Sequence, residues 1–197
     1  AMHTPVLSSE VISSHDQIDL IPSGSDLSGF ELTVAAVNSP RQLILKKFIE
    51  KNGLDKIYDH ILIDCPPTLG LLSLNALCAA DGVVVPFRPD DFSRMGLEHF
   101  YEVLDEIAEM GLTTPPRILA HVPNLVDARR SQEEKDLTDI IESIEMQEKG
   151  PVLPSLYNRS LIGRALSQKR SVFDYHSKEY LPLQGVFTDI ASTIVQS

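Results

Sequence analysis

Four short runs of aliphatic and β-branched residues each stop at a residue that can do chemistry or turn the chain. They are Ile61-Leu62-Ile63 before Asp64, Val83-Val84-Val85 before Pro86, Ile118 to Val122 before Asn124, and Val152-Leu153 before Pro154-Ser155. If these runs are parallel strands, their carboxyl ends share one edge, which is where open α/β sheets bind ligands. A carboxylate fixed at the end of a buried strand can hold Mg²⁺ through water while phosphates supply other oxygens. An aspartate in that place can equally be a cap for the next helix. Asn124 carries an amide that both donates and accepts, although an Asn after Pro123 is also a turn former. Ser23-Gly24-Ser25-Asp26 reads either as an anion nest or as a solvated turn. The six histidines include no H-E-x-x-H and no i, i+4 pair, and Cys65 and Cys78 do not form a C-x-x-C. That spacing predicts no His- or Cys-based metal centre.

The elements that must position these residues are well punctuated. Tyr58 to Asp64 reads as a buried strand stopped by Cys65-Pro66-Pro67, and a leucine-rich helix follows to Ala80. Gly82 to Pro86 is a second strand, Ser93 to Met110 a helix, and Arg117 to Val122 a third strand. Upstream, Ile18 to Pro22 reads as a buried strand. Ser39-Pro40-Arg41-Gln42 combines a capping serine, Pro at the first helical position and Gln at N3, so a helix is predicted to Lys51 and a stop at Asn52-Gly53. Ser131-Gln132-Glu133-Glu134 is a second capping box, before a helix with Leu137, Ile140, Ile141 and Ile144 on one face. Near Val152-Leu153 a short strand ends at Pro154, and Phe187, Ile190, Ala191, Ile194 and Val195 give the tail helical spacing. Alternation of this kind predicts an α/β fold: three layers, a mostly parallel sheet flanked by helices.

The chain has 197 residues, 43% of them apolar, and 17 Lys+Arg against 28 Asp+Glu give a formal charge of −11. These values predict one domain over 1–197, with residues 1–3 read as a cloning remnant or disordered start. Acid excess argues against a surface that is basic throughout, but a local patch could survive it: Arg164, Lys169 and Arg170 could contact phosphates or could be scattered surface charge. Glu98, Glu102, Asp105 and Glu109 form an acidic stripe on one helical face, with Leu97, Tyr101, Leu104 and Ala108 turned inward. It reads as a solvated face or as a dock for a basic peptide. Cysteine usage predicts a reducing, cytoplasmic setting, and no apolar run is long enough to span a bilayer.

The string Tyr58-Asp59-His60-Ile61-Leu62-Ile63-Asp64-Cys65-Pro66-Pro67-Thr68-Leu69-Gly70-Leu71-Leu72-Ser73-Leu74-Asn75-Ala76-Leu77 closely resembles the Walker B segment of ParA/Soj-type partition ATPases. Leu20-Ile21-Pro22-Ser23, Asp26-Leu27 and Glu31 upstream, and Asp81 to Pro86, Phe92, Gly96-Leu97, Asp127-Ala128-Arg129, Leu153-Pro154 and Ser171 to Tyr175 downstream, keep the order and spacing of that family.

The resemblance implies a P-loop NTPase-like sheet, ATP and Mg²⁺ as cofactors, Asp64 as the metal-holding carboxylate, Asn124 as an adenine reader, Pro154-Ser155 lying along the base, and Arg129 and Arg130 near a surface used for sequence-independent DNA binding, scattered surface charge being the competing reading of that pair. The competing reading of Pro154 is a strand terminator. The family's Lys-Gly-Gly-x-Gly-Lys-Thr loop has no counterpart in this sequence, where none of the ten glycines is followed by Lys. The first β-loop-α unit is therefore expected to be missing, no catalytic residue is expected in this chain, and turnover by it alone is not expected. Two functions follow. One is a partition or positioning ATPase segment working on DNA or other cargo with a ParB-like or other adaptor, as a homodimer with weak non-specific DNA binding and no membrane role. The alternative is a nucleotide-free relative serving as an interaction or scaffold module.

Overall fold

The computed structural model describes residues 12–15, 18–36, 40–126, 131–157 and 159–196. They fall into two compact units, Ala1–Ala80 and Asp81–Ser197, each with its own internal packing.

The first unit opens with a hairpin in which β1 (Ser13–His15) pairs antiparallel with β2 (Ile18–Leu20). A buried strand was expected at Ile18 to Pro22, but β2 ends at Leu20 and is exposed, with Ile18 at 71%. A three-residue hairpin offers too few neighbours to cover its own faces. Short helix α1 (Phe30–Thr33) leads to α2 (Ile44–Asn52), which ends as expected where Gly53 takes a left-handed φ of 62° and its N–H reaches the Glu50 carbonyl. The expected capping Ser39 lies outside the described residues. Next come α3 (Leu54–Ile57) and α4 (Leu71–Ala79), the expected leucine-rich helix.

Buried Asn75 ties α4 to the start of α2. Its Nδ2 donates to the Arg41 carbonyl at 2.8 Å and to the Leu71 carbonyl at 2.9 Å, while its Oδ1 accepts the Leu45 N–H at 3.1 Å. Glu31, from α1, supplies the cap that α4 lacks locally, its carboxylate accepting the Leu71 N–H at 3.2 Å.

The expected strand Tyr58 to Asp64 does not form. No ladder bonds are made over residues 59–64, Leu62 is 76% exposed and Ile61 40%. A parallel strand is held by its neighbours and not by propensity, and within this unit the described residues contain no strand beside the exposed hairpin.

In the second unit, β3 (Gly82–Phe87) and β4 (Arg117–Pro123) pair in parallel, as the sequence predicts, with a register shift at Val83/Val84. Gly82 is required by close approach: a Cβ there would stand 2.6 Å from the Leu119 Cδ1. Asp90 caps α5 (Asp91–Met110), accepting the Ser93 N–H at 2.8 Å, and Gly111 closes it with φ 61°. Leu97, Phe100, Tyr101, Val103, Leu104 and Ile107 are buried, and the acidic stripe Glu98, Glu102, Asp105 and Glu109 faces solvent; Ala108, expected inward, is exposed. Helices α6 (Ser131–Met146), α7 (Arg159–Ser167) and α8 (Leu181–Val195) complete the unit. Val122, Leu156, Leu161, Tyr180, Leu183 and Val186 pack into one core.

The expected strand at Val152-Leu153 is reduced to two parallel bridges, His121 with Val152 and Asn124 with Leu156. Pro151 and Pro154 lack the N–H that a longer ladder needs. The fold class stands as α/β with a parallel sheet flanked by helices.

Candidate functional site at the strand ends

Three strand-level segments of the second unit finish side by side. The Asn124 N–H donates to the Phe87 carbonyl at 2.7 Å, which joins the ends of β4 and β3. The Leu156 N–H donates to the Pro123 carbonyl at 2.8 Å, and the Val126 N–H to the Leu156 carbonyl at 3.4 Å, joining β4 to the segment that carries Pro154 and Ser155. Asn124, Pro154 and Ser155 are thus brought to one edge. Asn124 and Ser155 are half-buried and Pro154 is exposed. Backbone bonds on both sides fix the Asn124 main chain, and left-handed Leu125, at φ 60°, turns the chain away immediately after it. A half-buried amide on a fixed main chain, at the same edge as an exposed proline, can hydrogen-bond the edge of a planar ring while the ring lies against apolar atoms.

Asp64 lies in the first unit, exposed, with no ion pair among the described residues. Its loop is held from below by Ser73, whose hydroxyl donates to the carbonyls of Thr68 and Pro66. An unpaired carboxylate on a loop pinned to a buried helix residue suits a hard divalent ion. Burial first, and then the Asp64 charge, push the neighbouring Cys65 thiol above its usual range. No group of three or more His, Cys, Asp or Glu side chains could hold a metal by itself among the described residues, so Asp64 would need ligand oxygens from elsewhere.

Among the basic candidates, Arg129 and Arg130 lie outside the described residues. Arg164 pairs with Glu179 at 3.3 Å, and Arg170 pairs with Asp174 at 3.8 Å while its guanidinium stands 4.8 Å over the Tyr175 ring. Lys169, at φ 51° just past α7, is exposed. Two of the three described candidates are therefore neutralised in part by acids. None of the described helices is long and apolar enough to cross a membrane.

Sequence reading missed a buried pair behind the edge. The Tyr101 hydroxyl and His121 Nε2 are 2.9 Å apart, and His121 is fully buried. The available signal was a histidine inside an apolar run, at Ala120-His121-Val122. Glu31 and Asn75 carried no local signal, since their partners stand 40 and 30 residues away.

The AAA domain family matches residues 3–115. The chromosome partitioning protein ParA of Caulobacter vibrioides is 31% identical over 136 residues, 69% of this chain and 50% of that protein. The structure of apo McdA from a Cyanothece species superposes with a TM-score of 0.77 over 93% of this chain and 71% of that one, at 20% identity. A Mycobacterium smegmatis structure described as cobyrinic acid a,c-diamide synthase with bound ATP analogue and magnesium shares 31% identity and a TM-score of 0.57, over 66% of this chain and 51% of that one. This chain spans about half the length of the ParA protein it matches.

Proposed function

Since the chain belongs to the AAA domain family, and within it to the ParA-type partition ATPases, we propose that the strand-end edge of its second unit receives the base of a nucleotide, and that Asp64, within the first unit, offers by itself a carboxylate for Mg²⁺. The observation that supports this reading is half-buried Asn124, its main chain held to β3 by the Asn124–Phe87 bond, at the same edge as Pro154-Ser155. Base and metal fit the residues present. The phosphates do not: no glycine of the sequence is followed by Lys, and the described residues form no Gly-Lys cradle for them. In this reading the chain binds nucleotide weakly and does not hydrolyse it unaided. The protein serves in positioning or segregating DNA or other cargo, with a ParB-like or other adaptor, as a homodimer in the cytoplasm.

Titration of the chain with ATP and Mg²⁺, followed by calorimetry, tests this. Replacing Asn124→Ala is expected to weaken nucleotide binding about five- to twentyfold, the loss of one or two hydrogen bonds, and Asp64→Ala to weaken the binding of Mg²⁺ by the chain. Binding indifferent to both substitutions, or no binding at all, would instead favour a nucleotide-free scaffold.

A further inference from the structure

His121 is the one fully exposed-to-nothing titratable side chain on β4: it is 0% accessible, its Nδ1 has no hydrogen-bond partner, and its Nε2 meets only the Tyr101 hydroxyl at 2.9 Å. Its rings contact is edge-on, Tyr101 standing 6.0 Å away at 78°. From beyond α6 the Lys149 ammonium lies 4.8 Å over the Tyr101 ring, and Arg94 and Glu98 of α5 line the same small cleft as Tyr101. From β3 the register partner is Val85, and from the segment after α6 it is Val152, neither of them charged. No acid therefore touches the imidazole, while a cation stands one ring away.

The backbone of the same residue holds the candidate site together. The His121 N–H donates to the Pro151 carbonyl at 2.8 Å, and the His121 carbonyl accepts the Leu153 N–H at 2.9 Å. A third bond, from the Leu156 N–H to the Pro123 carbonyl, and a fourth, from the Val126 N–H to the Leu156 carbonyl at 3.4 Å, complete the attachment of residues 151–156 to β4 and the turn after it. Two of these four bonds belong to one histidine.

We propose that His121 is an acid-sensitive latch: the neutral imidazole lets residues 151–156 dock on β4, and protonation releases that segment and opens the strand-end edge. An imidazolium needs acceptors for two N–H groups, and here Nδ1 makes no hydrogen bond, the Pro151 carbonyl that bears on the ring being already taken by the His121 backbone N–H. Burial holds the imidazole below its ordinary value of 6.5, partly opposed by the Pro151 contact. The sign follows from linkage. The open form takes up the proton near 6.5 and the closed form only at lower pH, so closure is complete above about 6.5 and is lost as pH falls toward the lower value of the closed form. The latch concerns the edge assigned above to the nucleotide base, but its release is read on backbone amides and does not require that assignment.

Amide hydrogen exchange on the intact chain, corrected for intrinsic rates, is the test. Protection of Leu153 and Leu156 should fall by up to tenfold per pH unit below about 6.5, while Leu74, on α4, and Ala80, its C-cap, keep theirs. In His121→Gln the fall should disappear, and if that variant does not fold, the His121 ring resonances of the unmodified chain should titrate below 6.5 in step with the loss of protection. Protection that is independent of pH, equal loss at all four amides, or imidazole titration without loss at Leu153 each overturns the latch. A working latch in a chain whose ATP binding ignores pH and Asn124 would leave the latch standing and remove the nucleotide reading.

Discussion

The carboxylate of Glu31 caps a helix that begins forty residues later, its Oε1 accepting the Leu71 N–H at 3.2 Å. Gly70, at the cap position, has no side chain to do so, and a Cβ there would sit 3.3 Å from the same oxygen. The negative charge also complements the positive end of α4. Because the contact is solvent-exposed, Glu31→Ala is expected to cost about 0.5–1 kcal/mol, measurable as a shift in the urea midpoint of the first unit. No shift would show that water caps α4 as well as Glu31 does.

Asn75 should matter more. Its amide satisfies Leu45, Arg41 and Leu71 at once, and it is 3% exposed, so water cannot replace it. Asn75→Leu is expected to destabilise by about 2–4 kcal/mol, through main-chain groups left unpaired away from solvent. Equilibrium denaturation of the variant decides; a loss below about 1 kcal/mol would mean that the start of α2 finds other partners.

The two cysteines should react in order. Cys65 is exposed and Cys78 buried, so a disulfide reagent should modify Cys65 first under native conditions. Burial and the adjacent Asp64 charge keep the Cys65 thiol protonated, and Asp64→Asn is expected to speed its modification about two- to fivefold at neutral pH. Equal rates in the two proteins would show that the Asp64 charge does not reach the thiol.

DNA binding, if present through the described candidates, should depend on Lys169 most. Arg164 and Arg170 already face Glu179 and Asp174. We expect weak binding that falls steeply with salt, reduced by Lys169→Ala more than by Arg164→Ala. Gel-shift titrations at two salt concentrations test both statements, and binding unaffected by salt would end this view.

How much of this was legible in the sequence depended on whether the controlling contact was local. Gly53 and Gly111 ended α2 and α5 by a left-handed turn that only their residue type makes cheap, and β3 and β4 followed from two apolar runs, Val83 to Val85 and Ile118 to Val122, that pair with each other. Asn124, Pro154 and Ser155 were placed at one edge by the logic of strand ends. Tyr58 to Asp64 had the same local signature as β3, yet a ladder is a property of two segments and local propensity does not supply the second. Distant caps and staples, such as Glu31 on Leu71 or Asn75 on Arg41, leave no mark in any short window of residues. The His121–Tyr101 pair did leave one, a polar residue amid buried apolar neighbours, whose meaning required knowing what stood opposite.

The unladdered segment around Ile61-Leu62-Ile63 also governs how this chain behaves in a tube. Three consecutive aliphatic residues with free backbone amides form a template onto which other extended chains can add, and such templates seed aggregation. Asp59 and Asp64 bracket the triplet with like charges, and Pro66-Pro67 cannot donate to an incoming strand. Neutralising Asp59 and Asp64 together, by Asn substitution, is therefore expected to raise light scattering as the chain is concentrated, and unchanged scattering would show that the rest of its net charge of −11 guards the triplet.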